Sequence, residues 1–236
     1  MPFMFFGYNV DYMILMWALL AVFALGIVAQ TKVQSTFKKF SKIPASSGSS
    51  AEQAAGEMLR ANNSTAVIEP VEGALTDHFN PKTNIVGLSR AVYGERSVAA
   101  LAVAAHEIGH VMQYEEGYLP IRIRNAILPV ASLGSQMAPW LVILGVIMGF
   151  GNLAMVGVIL FAAVFIFQLI TLPVEFNASR RAVAMLAGGG YLSTHEEEEG
   201  AKKVLRAASM TYVVAALASL ISLLRLLVIA RGSRRD

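Results

Sequence analysis

Between Asn125 and Val174 the chain carries no charged residue. At a rise of about 1.5 Å per residue, that run is long enough to cross the hydrocarbon core of a bilayer twice as helix. Gly149 to Asn152 supplies a turn between the two passes. The spacing therefore predicts one helix around Ala138 to Met148, starting upstream near Leu128, and a return helix from Leu153 to Leu172. Tyr12 to Thr31 is a second charge-free run, of about the 20-residue length that spans a membrane. A cleaved signal peptide fits that run poorly, because no Lys or Arg precedes it and Ala29-Gln30-Thr31-Lys32 is a weak cleavage flank. Ala207 to Ala230 is a further apolar segment, interrupted by Arg225, which at mid-bilayer depth must snorkel or find a partner. Overall composition agrees: 56% of residues are hydrophobic and 15% charged, against about 25% charged in an ordinary soluble domain. The expectation is a mainly α membrane protein with three to four transmembrane helices.

Charge then orients the spans. Lys32, Lys38, Lys39 and Lys42 follow the first, Arg122 and Arg124 precede the second, and Arg180, Arg181, Lys202, Lys203 and Arg206 follow the third. All three groups face one side, and the positive-inside bias makes that side cytoplasmic in a cell membrane. Arg231, Arg234 and Arg235 argue the other way, unless the last apolar helix is re-entrant or lies on the surface. The net charge of +3 is thus read as topology. With no aromatic-plus-basic array, nucleic acid is not an expected partner.

Five segments result: a transmembrane helix in 1–31, a cytoplasmic α+β region in 32–125, the apolar hairpin in 126–174, a cytoplasmic helical segment in 175–206, and the final apolar helix with its basic tail in 207–236. In the second, the linker Pro44 to Ser50 precedes a helix whose capping box is read as Ser49 with Glu52. Short apolar runs at Ala66 to Ile68 and Asn84 to Leu88 predict strands. Thr194 with Glu197 makes a second capping box, so the acidic run Glu196 to Glu199, with His195, marks a helix start.

His106-Glu107-Ile108-Gly109-His110 carries the chemistry. Two imidazoles four residues apart lie on one face of a helix and can grip one zinc, while Glu107 flanks the bound water as general base. The chain has no cysteine and only four histidines, so a third ligand must come from His78, His195, Glu115, Glu116 or Glu175. Glu175 is the best placed, where the apolar hairpin ends and a helical stretch through Ala182 begins. An ion pair with Arg180 or Arg181 is the plain alternative for that carboxylate. Oxyanion stabilisation could come from Arg180, Arg181, His78 or Tyr93.

Lys38 to Lys42, Leu75 to Pro81, Ser97 to Ala100, the His106 to His110 motif and Gln168 to Ala182 together make the chain resemble the YugP-like zinc-dependent membrane proteases, which look like distant relatives of the HtpX-type and CaaX-processing membrane metalloproteases. The resemblance covers nearly the whole chain. It implies a small α+β zincin-like (gluzincin) catalytic region at the cytoplasmic face and one catalytic Zn²⁺ held by His106, His110 and Glu175. HtpX-like relatives have Glu-Phe-x-Ala-Asp around the third ligand; here the segment is Glu175-Phe176-Asn177-Ala178-Ser179. A serine hydroxyl would orient an imidazole more weakly than that aspartate. Ser179, Asn177 and Arg180 are candidates for supporting or substrate-binding roles. Asp77 and His78 either line the cleft or form a structural turn. The resemblance also suggests that the strand at Asn84 to Leu88 offers its edge to a peptide substrate.

The leading function is a membrane-embedded zinc endopeptidase acting on membrane or membrane-proximal proteins. A non-catalytic zinc-stabilised scaffold that binds other membrane proteins is the second reading, and an ion transporter a distant third. Exposed membrane helices are compatible with self-association or with another membrane-protein partner.

Overall fold

In the computed structural model, residues 2–232 are described, with side chains from Val10 onward. Arg234 and Arg235, on which part of the topology conflict rests, lie outside the described residues. The elements in chain order are α1 (Pro2–Phe40), α2 (Ala51–Ala61), β1 (Val67–Val71), β2 (His78–Asn80), β3 (Ile85–Ser89), α3 (Val98–Glu115), α4 (Leu119–Ile147), α5 (Gly151–Gly188) and α6 (His195–Gly232). Among the described residues four helices are long and apolar enough to cross a membrane: α1 from Val10 onward, α4, α5 and α6.

Those helices outrun the spans expected of them. The helix placed around Ala138 to Met148 begins at Leu119 and runs through Pro129 and Pro139. The return helix does not stop at Leu172; α5 passes through Pro173 and carries Glu175 to Ala182 as part of the same helix. Each proline removes one backbone hydrogen bond without ending its helix. Such breaks are tolerated where neighbouring helices and local adjustment satisfy the freed groups.

The chain divides into two compact units: residues 1–28, 123–172 and 211–236 form one, and residues 29–122 with 173–210 the other. In the first unit the hairpin turn sits at Gly149 with φ of 70°, a conformation glycine adopts without strain. Close approach of α4 and α5 rests on small residues: a Cβ on Gly157 would stand 2.8 Å from the Ala138 carbonyl, and one on Gly145 would collide with the Ala154 main-chain nitrogen. Helices in lipid associate through such contacts, since apolar burial offers little drive there. Leu226 and Ala230 of α6 pack with Val142, Ala154 and Val158, near the hairpin turn. The final apolar segment is therefore one continuous helix extending to the turn end of this unit. Arg225 lies towards that end and not midway along the bundle; it is half-buried, and its Nε has no hydrogen-bond partner.

The second unit holds the sheet and the main core. Its strand order is β1-β3-β2, with β1 parallel and β2 antiparallel to β3. The strand expected to present an edge is thus the central one, paired on both sides. The edges belong instead to β1 and to β2, the latter a three-residue strand between Asp77 and Pro81 that is too short to show any alternation. Val86 and Leu88 of β3 are fully buried, with Ala54, Ala55 and Met58 of α2 and the small apolar face of α3 in the same core.

Helix α2 starts one residue later than its expected box. Ser50 is the N-cap and Gln53 accepts its backbone N–H at 3.2 Å. Glu52 instead accepts from the Ser50 hydroxyl at 2.6 Å and the Gly94 amide at 2.8 Å. The Thr194–Glu197 box is present at the start of α6. Glu197 also accepts from the Ser46 amide and hydroxyl, both at 2.7 Å, which ties the 44–50 linker to that helix.

Replacing Gly145 with Val should overpack the α4–α5 contact by about 1–3 kcal/mol. The expected outcome is a lower unfolding temperature of the detergent-solubilised protein, with zinc content per folded molecule unchanged.

Candidate metal centre

Helix α3 begins where the Ser97 side chain accepts the Ala100 amide at 3.2 Å, a capping bond that satisfies one orphan donor of the first turn. Val98 to Ala102, Ala104 and Ala105 are buried. The helix that follows is consequently enclosed along most of its surface, and its polar residues need partners. His106 and His110 stand one turn apart with ring centroids 4.7 Å from each other and planes at 84°.

Gly109 shares their face. A Cβ at this position would lie 2.6 Å from the Ala178 carbonyl oxygen and 3.2 Å from Ala178 Cα. Glycine is what lets the main chain of α5 lie directly against α3. With Ala178 at that contact, Glu175, one turn earlier on α5, faces the two histidines. Its Oε2 is 3.3 Å from His106 Nε2 and 3.7 Å from His110 Nε2. One donor atom from each of the three residues lies within 4.8 Å of the others. A tetrahedral ion bound at about 2.0–2.1 Å separates its ligand atoms by about 3.3 Å. The donor set and spacing fit a zinc ion with small adjustments.

The remaining imidazole nitrogens are engaged as well. His106 Nδ1 is 3.3 Å from Ser179 Oγ, and His110 Nδ1 is 3.0 Å from Gln113 Oε1. Gln113 is fully buried and donates through Nε2 to the Val174 carbonyl at 2.8 Å and to Asn177 Oδ1 at 2.9 Å. Asn177 Oδ1 also accepts from Arg181 Nε at 2.8 Å, and Arg181 closes a bidentate pair with Glu116, both bonds 2.7 Å. That pair holds the Glu116 carboxyl below its usual range.

Glu107 is 7% exposed. Burial pushes its carboxyl above the ordinary carboxylate range, His106 and His110 oppose that shift, and the charges of Asp77 and Glu175 add to it. Burial works against charge on His110, but its hydrogen bond to Glu175 and the nearby carboxylates outweigh it, so this imidazole sits above its ordinary value. Asp77 is itself raised by burial, in part offset by Ser89.

The sequence candidates fall into two groups. His106, His110, Glu175, Ser179 and Asn177 come together, with Glu107 on the same helix. Asp77 accepts from the Ser89 amide at 2.7 Å and hydroxyl at 3.0 Å, fastening the end of β3. His78 is exposed and bonds through Nδ1 to the Thr76 carbonyl at 2.9 Å. Arg180 is exposed, and Arg181 is the arginine in the network. Among the other possible third ligands, Glu115 accepts from the Ser64 hydroxyl at 2.6 Å, Glu116 pairs with Arg181, and His195 is exposed at the start of α6. Sequence reasoning missed Gln113 and also Ser209 of α6, whose hydroxyl lies 3.4 Å from Ser179 Oγ. Gln113 lies three residues beyond His110, on the same helix face, which was the available signal. Ser209 had none.

Residues 13–231 match the family described as "Putative neutral zinc metallopeptidase". The chain is 45% identical to the "Putative membrane protease YugP" of Bacillus subtilis (strain 168) over 225 residues, covering 95% of this chain and 100% of that protein. No solved structure matches.

Replacing Gly109 with Ala should force α5 away from α3 at Ala178. Zinc affinity, measured by competition with a chromophoric chelator, is expected to fall at least about tenfold, with helical content retained.

Proposed function

Because the chain belongs to the neutral zinc metallopeptidase family, we propose that this multi-pass membrane protein is a zinc-dependent endopeptidase of gluzincin type, cutting membrane or membrane-proximal proteins. The observation that carries the reading is the convergence of His106 Nε2, His110 Nε2 and a Glu175 carboxylate oxygen. Three protein donors are what a catalytic zinc takes, with a further position left for water or substrate; four would suit a scaffold.

In this reading His106, His110 and Glu175 hold one Zn²⁺, which when bound supplies a Lewis acid and lowers the pKa of water. Glu107 takes a proton from the attacking water and delivers it to the leaving amine. Burial disfavours its charged form, which makes this carboxylate a better proton acceptor than an exposed one. The substrate would add as a strand along β2, one of the two sheet edges, which carries His78 and Phe79, the latter packing edge-on to Tyr114 of α3 at 6.1 Å. His78 is then a hydrogen-bonding group beside the substrate backbone. Since Glu175 follows directly on the charge-free run ending at Val174, and the basic residues flanking the first three spans outnumber the C-terminal arginines on the other side, the reaction is assigned to the cytoplasmic face.

Detergent-purified protein should cleave an unfolded protein substrate. Glu107→Gln should keep stoichiometric zinc while losing at least about a hundredfold in rate. A strong chelator should abolish cleavage and added zinc restore it. Zinc-loaded wild type that cuts no offered chain would move the scaffold reading to the front.

A further inference from the structure

We propose that Gln113 and Ser209 are positioning residues that preset both ligand histidines as Nδ1–H tautomers, so that each presents Nε2 to the metal; this rests on the zinc site proposed above. The direction of each hydrogen-bond chain follows from where it ends, because a main-chain carbonyl can only accept.

On the His110 side, Gln113 Nε2 lies 2.8 Å from the Val174 carbonyl. The amide nitrogen must be on that side, since the opposite orientation would set two oxygens against each other. Asn177 Oδ1 is likewise an acceptor, because Arg181 Nε can only donate to it. With both Gln113 donors directed at α5, Oε1 faces His110 Nδ1 at 3.0 Å and can only accept. His110 Nδ1 therefore carries the proton.

On the His106 side, Ser209 Oγ donates to the Leu205 carbonyl at 2.9 Å. Its hydrogen is committed, so at 3.4 Å it accepts from Ser179 Oγ. Ser179, having given its own hydrogen to Ser209, offers a lone pair to His106 Nδ1 at 3.3 Å. His106 Nδ1 is the donor there too.

With Nδ1 engaged on the far side, both Nε2 atoms are turned towards the Glu175 carboxylate, at 3.3 and 3.7 Å. Once both Nε2 atoms are free of a proton, the three donor atoms face one point that a cation can fill. Where a metalloprotease commonly backs its imidazoles with carboxylates, these chains end on neutral carbonyls of α5 and α6. The tautomer is set by helix backbones that the fold already holds.

Two measurements test this on the full-length protein in detergent. First, zinc affinity by chelator competition: Gln113→Leu, similar in volume but without polar atoms, should bind about 10–100-fold more weakly than wild type, and Ser209→Ala should also weaken binding, by less, because Ser179 can still accept. Second, 15N spectra of histidine-labelled, zinc-loaded wild type should show protonated Nδ1 on His106 and His110, with Nε2 the metal-shifted nitrogen. His78→Gln and His195→Gln provide the assignments. Binding by Gln113→Leu within twofold of wild type, or ligation through Nδ1 of either histidine, overturns the proposal. The 15N result stands even if Gln113→Leu does not fold. Wild type that takes up no zinc would instead refute the metal-site reading itself.

Discussion

The crossing of α3 and α5 at Gly109 and Ala178 is the contact from which the rest of the site follows. Residues 106, 109, 110, 113 and 116 fall on one stripe of α3, and 174, 175, 177, 178, 179 and 181 form the facing stripe of α5. Every link between them described above belongs to this seam: Glu175 at the two histidines, Ser179 behind one, Gln113 behind the other, and the Glu116–Arg181 pair at the end of α3. Backbones must come within van der Waals contact for side chains as short as Glu and Ser to reach across. A single methyl group at Gly109 would meet a carbonyl oxygen and spread the seam.

Burial makes that seam demanding. Gln113 and Glu175 are 0% and 2% exposed, and a buried polar group without a partner costs free energy comparable to a lost hydrogen bond. Gln113 meets the demand by bridging His110 to the Val174 carbonyl and Asn177. Glu175 meets it by facing two imidazoles, an arrangement that is satisfied by a shared cation. The site's polar chemistry and its helix packing are thus the same set of contacts, and a substitution made for one reason will be felt in the other.

Elsewhere, lipid and water impose different rules. In the unit that contains the apolar hairpin, helices meet through Gly134, Gly145 and Gly157 against the main chain of the opposing helix. In the unit with the sheet, alanines of α2 and α3 and the apolar residues of β3 are excluded from water in the usual way. The helices α1, α4, α5 and α6 contribute to both units, so one covalent helix passes from the first environment to the second. In α5 that passage falls at Pro173, two residues before Glu175.

The sequence by itself determined three long apolar helices, because absence of charge over about 20 residues is a local property that lipid reads directly, and left the fourth, interrupted by Arg225, open. It also determined the pairing of His106 with His110, since four residues on a helix is a local distance. Glu175 is 69 residues from His106; no periodicity spans that gap, and its candidacy came from its place after the hairpin and from the resemblance to known membrane proteases. Only the tertiary structure decided that β3 is central and β1 and β2 the edges, because strand order depends on which strands pair and not on the composition of any one. It alone decided that Arg181, rather than Arg180, joins the site, a matter of about 100° of rotation around α5. And it alone brought in Gln113, whose amide reaches His110 Nδ1, and Ser209, whose hydroxyl reaches Ser179 behind His106, because such contacts exist only where the helices stand close together.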